Sequence, residues 1–257
     1  MSLKVQNLVL GYDEKMILKS VDLEILKGKI TVLIGPNGCG KSTLLKGMSR
    51  LLKPKSGGVV LDNQSIHEMP PKALAKQLGI LPQTPLAPEG TTVKELCFFG
   101  RHPYQQWFKS RTEHDEKVVE WALEVTGVKP FEDYFLEELS GGQRQRAFIA
   151  MALAQETDIL LLDEPTTYLD LSYQLEILKL LKTLNETTGL TIVMVLHELN
   201  QAARFADYLV CMKEGQIVYK GEVEEIFNET MLNNVFGLNC LVMSDPTCDR
   251  PMCIARS

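Results

Sequence analysis

Apolar positions follow two rhythms along this chain. Short, nearly unbroken runs recur at Ile30-Thr31-Val32-Leu33-Ile34, at Ile159-Leu160-Leu161-Leu162 and over residues 190–196. Runs of this length without polar alternation read as strands buried on both faces. Between them the spacing changes to threes and fours. Leu44, Leu45, Met48, Leu51 and Leu52 predict a helix over 41–52. Leu171, Leu175, Leu178 and Leu181 predict another over 171–184, with these four leucines as its apolar face. Shorter helices are expected at 71–77, 147–154 and 199–205. At the amino end, alternation predicts paired strands over 3–10 and 21–26, with Gly11-Tyr12-Asp13-Glu14 between them. Further strands are expected at 59–61, 208–212 and 216–219. Strands separated by helices imply an α/β protein whose mainly parallel sheet is covered on both faces.

One stretch interrupts this order. Residues 84–90 hold Pro85, Pro88 and Gly90, and strand-like runs then disappear until Asp158, while 91–99 and 113–126 read as helices. An inserted α-helical unit is the expectation. Within it Arg101, His102, Lys109 and Arg111 interleave with Tyr104, Trp107 and Phe108. Such mixing can serve single-stranded nucleic acid. On an acidic chain, a loop that packs its aromatics inward is the better reading.

Composition narrows the class. The formal net charge is −6, which gives no overall field favouring DNA, RNA or anionic lipid, so no nucleic-acid partner is expected. No run approaches the ~20 apolar residues of a membrane span, so membrane association is expected through a protein partner. The six cysteines, Cys39, Cys97, Cys211, Cys240, Cys248 and Cys253, are scattered and form no Cys-x-x-Cys pair, which suggests reduced thiols rather than a disulfide or metal framework.

The chemistry begins after the first buried run. Gly35-Pro36-Asn37-Gly38-Cys39-Gly40-Lys41-Ser42-Thr43 contains a complete phosphate-loop pattern, flanked by a strand and a helix as that motif requires. Backbone N–H groups and the helix start would hold phosphates, Lys41 would reach the outer ones, and Ser42 would ligate magnesium. A reactive thiol at Cys39 is a further expectation, since a helix start lowers thiol pKa values. The second buried run ends in Asp163-Glu164-Pro165. Strand carboxyl ends form the ligand edge of an open α/β sheet, so Asp163 is placed to hold magnesium and Glu164 to activate a water. His197 ends the next strand and would bond a γ-phosphate. Leu139-Ser140-Gly141-Gly142-Gln143 offers a second helix start, with Ser140 as N-cap and two glycines leaving N–H groups open to an anion. Tyr12 in its turn could stack on a purine base.

Together these residues resemble the ATP-binding-cassette ATPases, the motor subunits of membrane transporters, across essentially the whole chain. The A-loop aromatic falls on Tyr12, the Walker A loop on 35–43, the Q-loop glutamine on Gln83 and the signature on 139–143. Walker B falls on 159–163, the catalytic glutamate on Glu164, the D-loop aspartate on Asp170 and the switch histidine on His197. The resemblance implies a P-loop NTPase (RecA-like) α/β core with an N-terminal antiparallel β-subdomain and an inserted α-helical subdomain. It assigns 1–83 and 156–240 to the core and 84–155 to the helical unit, and leaves 241–257 unassigned. It implies ATP and Mg2+ as cofactors, with Lys41, Gln83, Glu164 and His197 in catalysis and Ser42, Gln83 and Asp163 around the metal. It also implies a head-to-tail homodimer in which Ser140, Gly141 and Gly142 of one copy cover the ATP held by Lys41 of the other, with Gln143 and Asp170 among the nucleotide-binding positions. The insertion would grip polytopic permease subunits at the cytoplasmic face of the cell membrane, with a periplasmic or surface binding protein as indirect partner. Asp163-Glu164-Pro165-Thr166-Thr167-Tyr168-Leu169-Asp170, 197–204 and Gly100-Arg101-His102-Pro103-Tyr104 are most similar to importers of iron(III)-siderophores, with haem and cobalamin importers as relatives.

Overall fold

The computed structural model describes residues 2–105 and 111–256, so Trp107, Phe108 and Lys109 lie outside the described residues. The chain opens with β1 (Leu3–Tyr12), β2 (Lys15–Ile25), β3 (Ile30–Ile34), α1 (Lys41–Met48), β4 (Ser56–Leu61), β5 (Gln64–Ser65), α2 (Pro71–Ala75) and β6 (Leu78–Leu81). A helical stretch follows: α3 (Val93–Phe99), α4 (Glu113–Val125) and α5 (Gly141–Ala154). Strands and helices then alternate through β7 (Ile159–Leu162), α6 (Leu171–Thr188), β8 (Thr191–Val195), α7 (Leu199–Phe205), β9 (Tyr208–Lys213) and β10 (Gln216–Glu222). The carboxyl end adds α8 (Val223–Ile226), α9 (Glu229–Phe236) and a hairpin of β11 (Cys240–Ser244) and β12 (Pro251–Ala255).

Two sheets carry the fold. The larger has the order β10-β9-β3-β8-β7-β6, parallel except for β10. The smaller is antiparallel, in the order β2-β1-β4-β5. Alternation along β3 divides the interior. Ile30, Val32 and Ile34 join a core shared with the inserted helices and with α6, α7 and α9. Leu33 faces the opposite core, built on α1 and the amino-terminal sheet. Both faces of the parallel strands are therefore covered, which is why these strands read as continuous apolar runs.

Several elements differ from the sequence pattern, each for a local reason. Strand β2 begins at Lys15, well before the expected position 21, and its register against β1 shifts three times. Asn7 and Ser20 adopt left-handed φ values of 46° and 61° in these strands. Such bulges reset the alternation that marks a strand. Helix α1 stops at Met48, and Leu51 is exposed, because Arg50 turns left-handed at φ 64°. Helix α6 runs on to Thr188, where Gly189 caps it, and its buried face is Ile177, Leu178, Leu181 and Leu184; Leu171 is exposed in the first turn. Arg101, expected in a basic loop, is fully buried. It bonds Asp115 of α4 at 2.8 Å, the Ala154 carbonyl at 2.8 Å and Glu156 at 2.6 Å. The ring of Tyr104 lies 4.0 Å from its guanidinium.

The carboxyl tail, unassigned from sequence, packs on α7. Asn200 bonds the backbone of Cys253 twice, donating to its carbonyl at 3.1 Å and accepting from its N–H at 2.8 Å. Arg204 reaches Thr247 at 2.6 Å and pairs with Asp245. Among the described residues, no helix is long and apolar enough to cross a membrane.

Candidate functional site

Four parallel strands deliver their carboxyl ends to one edge of the sheet. From β3 comes the loop 35–43, from β8 His197, from β7 Asp163 and Glu164, and from β6 Gln83. Residues up to 162 positions apart in sequence are brought together here by strand pairing alone. A polar cleft of about 560 Å3 results, lined by Asn37, Gly38, Gly40 to Thr43, Gln83, Glu164 and His197, with Lys15 and Ile17 from β2.

The loop is shaped for a phosphate chain. Gly40 caps α1 in a left-handed conformation (φ 109°), and a Cβ there would stand 2.6 Å from Leu18 of β2. Only glycine meets both demands. No side chain caps α1 and its first turn holds no acidic residue, so the positive helix end is left for an anion. The Lys41 ammonium is buried and donates to the carbonyls of Gly35 at 2.8 Å and Pro36 at 3.2 Å. The Ser42 hydroxyl donates to Asp163 at 2.8 Å. Burial raises the Asp163 pKa, with the neighbouring Glu164 charge acting in the same sense and the Ser42 hydroxyl and Lys46 and Lys41 against it. Hydroxyl, carboxylate and the Gln83 amide form an all-oxygen donor set that suits magnesium bound together with phosphates.

Glu164 is held on both oxygens. One accepts from Gln83 Nε2 at 2.5 Å and from the Thr167 hydroxyl at 2.9 Å; the other meets His197 Nε2 at 2.5 Å. Its backbone is left-handed at φ 53°, a conformation costing about 1 kcal/mol or more for a residue with a side chain. Sequence reasoning missed Thr167, whose hydroxyl three residues beyond Glu164 is the available signal. It also missed Lys15 and Ile17, because the bulged start of β2 hides their strand.

Other expected site residues stand apart from the cleft lining. Tyr12 ends β1 half-exposed. Asp170 is the exposed N-cap of α6. Ser140 caps α5, accepting from the Gln143 N–H at 3.3 Å, while Gln143 Oε1 accepts from the Ser140 N–H at 2.9 Å. This reciprocal box engages the Gln143 carbonyl within the cap. Unlike α3 and α4, α5 has no acidic residue in its first turn. Cys39 corrects an expectation: its thiol is buried, and desolvation raises its pKa against the pull of Lys41, so a reactive thiolate is disfavoured. A second cleft, of about 330 Å3, lies at the amino-terminal edge of the strands against Val118, Trp121, Leu153 and Leu184. It is apolar, and two polar side chains on its rim have partners already, His114 on Glu156 and Lys117 on Glu113.

The family profile described as ABC transporter matches residues 18–167, which include the phosphate loop, the Ser140 cap and the Asp163-Glu164 strand end. The chain belongs to the ABC transporter family. As an ABC transporter ATPase subunit it binds ATP and hydrolyses it. This ABC ATPase is 52% identical over 253 residues to the petrobactin import ATP-binding protein FpuD of Bacillus anthracis, covering 98% of this chain and 93% of FpuD. It is 49% identical over 253 residues to the iron(3+)-hydroxamate import ATP-binding protein FhuC of Bacillus subtilis, covering 98% and 94%. The dimeric bacterial ABC transporter cassette MJ0796 superimposes with a TM-score of 0.75 at 32% identity, over 86% of this chain and 98% of that one.

Proposed function

We propose that this subunit drives import of iron(III)-siderophore complexes by hydrolysing Mg-ATP between two head-to-tail copies of itself at the cytoplasmic face of the cell membrane. The observation that carries the cargo reading is the 52% and 49% identity, over nearly the whole chain, with relatives named for petrobactin and iron(3+)-hydroxamate import. The dimeric form of MJ0796 supports the paired arrangement. Residues 84–155 act as the helical unit that grips polytopic permease subunits, on a core of 1–83 and 156–240. A periplasmic or surface binding protein delivers the cargo to that permease.

In this reading residues 35–43 and Lys41 hold the phosphates, and Tyr12 stacks on the base. Ser42, Asp163 and Gln83 hold magnesium, which when bound neutralises charge on the outer phosphates. Glu164 takes a proton from the attacking water. His197, Gln83 and Thr167 fix its two oxygens, as their bonds of 2.5 to 2.9 Å to this carboxylate suggest. Ser140, Gly141, Gly142 and Gln143, with Asp170, close over the nucleotide of the partner copy.

The test is Glu164→Gln. Loss of a positioned base typically costs 10²–10⁴-fold in rate, so phosphate release is expected to fall by about that factor while ATP binding survives. Light scattering is expected to show a dimer with Mg-ATP. In cells lacking this chain, the wild type but not the variant is expected to restore uptake of radiolabelled ferric siderophore. Near-normal turnover in the variant removes Glu164 from the role of base. Restored turnover without siderophore uptake overturns the cargo.

A further inference from the structure

The second glycine of Ser140-Gly141-Gly142 answers to a ring inside the same chain. A Cβ at 142 would stand 2.7 Å from Cδ1 of Tyr173 and 3.0 and 3.1 Å from its Cγ and Cε1. At 141 it would meet only Leu169, at an ordinary 3.7 Å. One turn along, Arg146 of α5 pairs with Glu176 of α6. Positions 142 and 146 share one face of α5, and 173 and 176 share one face of α6, so these two side-chain contacts lie one turn apart between the helices. The first turn of α6 is also fastened to the hydrolytic side. Gln174 donates to the Leu169 carbonyl at 2.8 Å, and Gln201 of α7, beyond His197, donates to Gln174 at 2.8 Å. Tyr173 therefore stands where the segment from Glu164 and the helix after His197 meet the start of α5.

We propose that Tyr173 is a positioning residue for the anion-binding start of α5. Its ring fills the space above Gly142 and sets where the free N–H groups of that helix stand relative to the sheet edge. The inference rests on the reading in which this helix start closes over the nucleotide of a partner copy. Hydrogen bonds to phosphate hold only over about 2.7–3.2 Å, so a displacement of roughly 1 Å at the helix start removes them. On this account glycine at 142 is demanded by the ring within the chain, while glycine at 141 has no such internal reason.

The experiment is a double-mutant cycle in the full-length protein with Gly142→Ala, Tyr173→Ala, the double variant and Tyr173→Phe. Two readouts are taken: the melting temperature without nucleotide, and kcat and KM for Mg-ATP. Gly142→Ala is expected to lower the melting temperature and to reduce kcat about tenfold or more, with KM within about twofold because its own phosphate loop is intact. The double variant is expected to return both quantities to the level of Tyr173→Ala alone, and Tyr173→Phe to match wild type. A double variant as slow as Gly142→Ala overturns the proposal, since the nucleotide itself then requires the glycine. An unaltered Gly142→Ala overturns it as well, since the ring then yields. The melting temperature reports the contact without nucleotide or partner. Coupling there, together with a Glu164→Gln protein that never pairs on Mg-ATP, places the failure in the two-copy reading and reduces Tyr173 to packing.

Discussion

Asp163 shows how a single residue of this cleft edge can cost stability. Its carboxyl is buried next to Glu164, and its pKa is raised. A carboxylate whose pKa is higher folded than unfolded costs stability while ionised, and the cost disappears as pH falls through the raised value. Asp163→Asn is therefore expected to raise the melting temperature of the nucleotide-free protein at neutral pH, by about 2–4 °C for each kcal/mol relieved in a chain of this size. The gain is expected to shrink at acid pH, and Mg-dependent hydrolysis is expected to vanish. A lower melting temperature at neutral pH refutes this and assigns the larger effect to the bond from Ser42. Cys39 teaches a similar lesson with the opposite outcome. Its place at a helix start predicts a lowered thiol pKa, but burial in the core pushes that pKa up.

Among the elements, the tail hairpin and α7 form the least foreseeable pairing. Two bonds from one side chain, Asn200, join the helix after His197 to the β12 backbone. At about 0.5–1.5 kcal/mol each, their loss in Asn200→Ala is expected to speed amide exchange of β11 and β12 by about tenfold or more. Unchanged exchange means that the other contacts, Arg204 with Asp245 and Thr247 and Arg250 with the Ala206 carbonyl, suffice to hold the hairpin. The strands of this hairpin were not legible because apolar residues occupy both faces, Leu241 and Ile254 outward and Cys240 and Cys253 inward. The start of β2 was hidden for another reason, since bulges break its period. By contrast β3, β7 and β8, buried on both faces, announced themselves as apolar runs. The motifs at their ends told which chemistry to expect, and the rule that ligands gather at strand carboxyl ends told where. Thr167 carried no such rule.

At the scale of the molecule, one buried cation ties the helical insertion to the sheet. Arg101, after α3, reaches Asp115 in α4, the last carbonyl of α5 and Glu156 just ahead of β7. Breaking a buried pair while leaving the opposite charge in place costs about 3–5 kcal/mol. Arg101→Met is expected to lose about that much in urea unfolding, with a split transition if the helices melt before the sheet. A loss below about 0.5 kcal/mol, as at ordinary surface sites, removes the network from that role.

The order of the large sheet also bears on how this protein is made. The central strand β3, which leads into the phosphate loop, lies between β8 and β9, and both are more than 150 residues downstream. On the ribosome the small amino-terminal sheet can assemble early, since β1, β2 and β4 all emerge within the first 61 residues. The apolar strand beside it must wait with both edges bare until nearly the whole chain has been synthesised. A message truncated anywhere before β8 thus yields an adhesive product with an exposed strand and no means of capturing nucleotide productively, a natural client for chaperones or proteases.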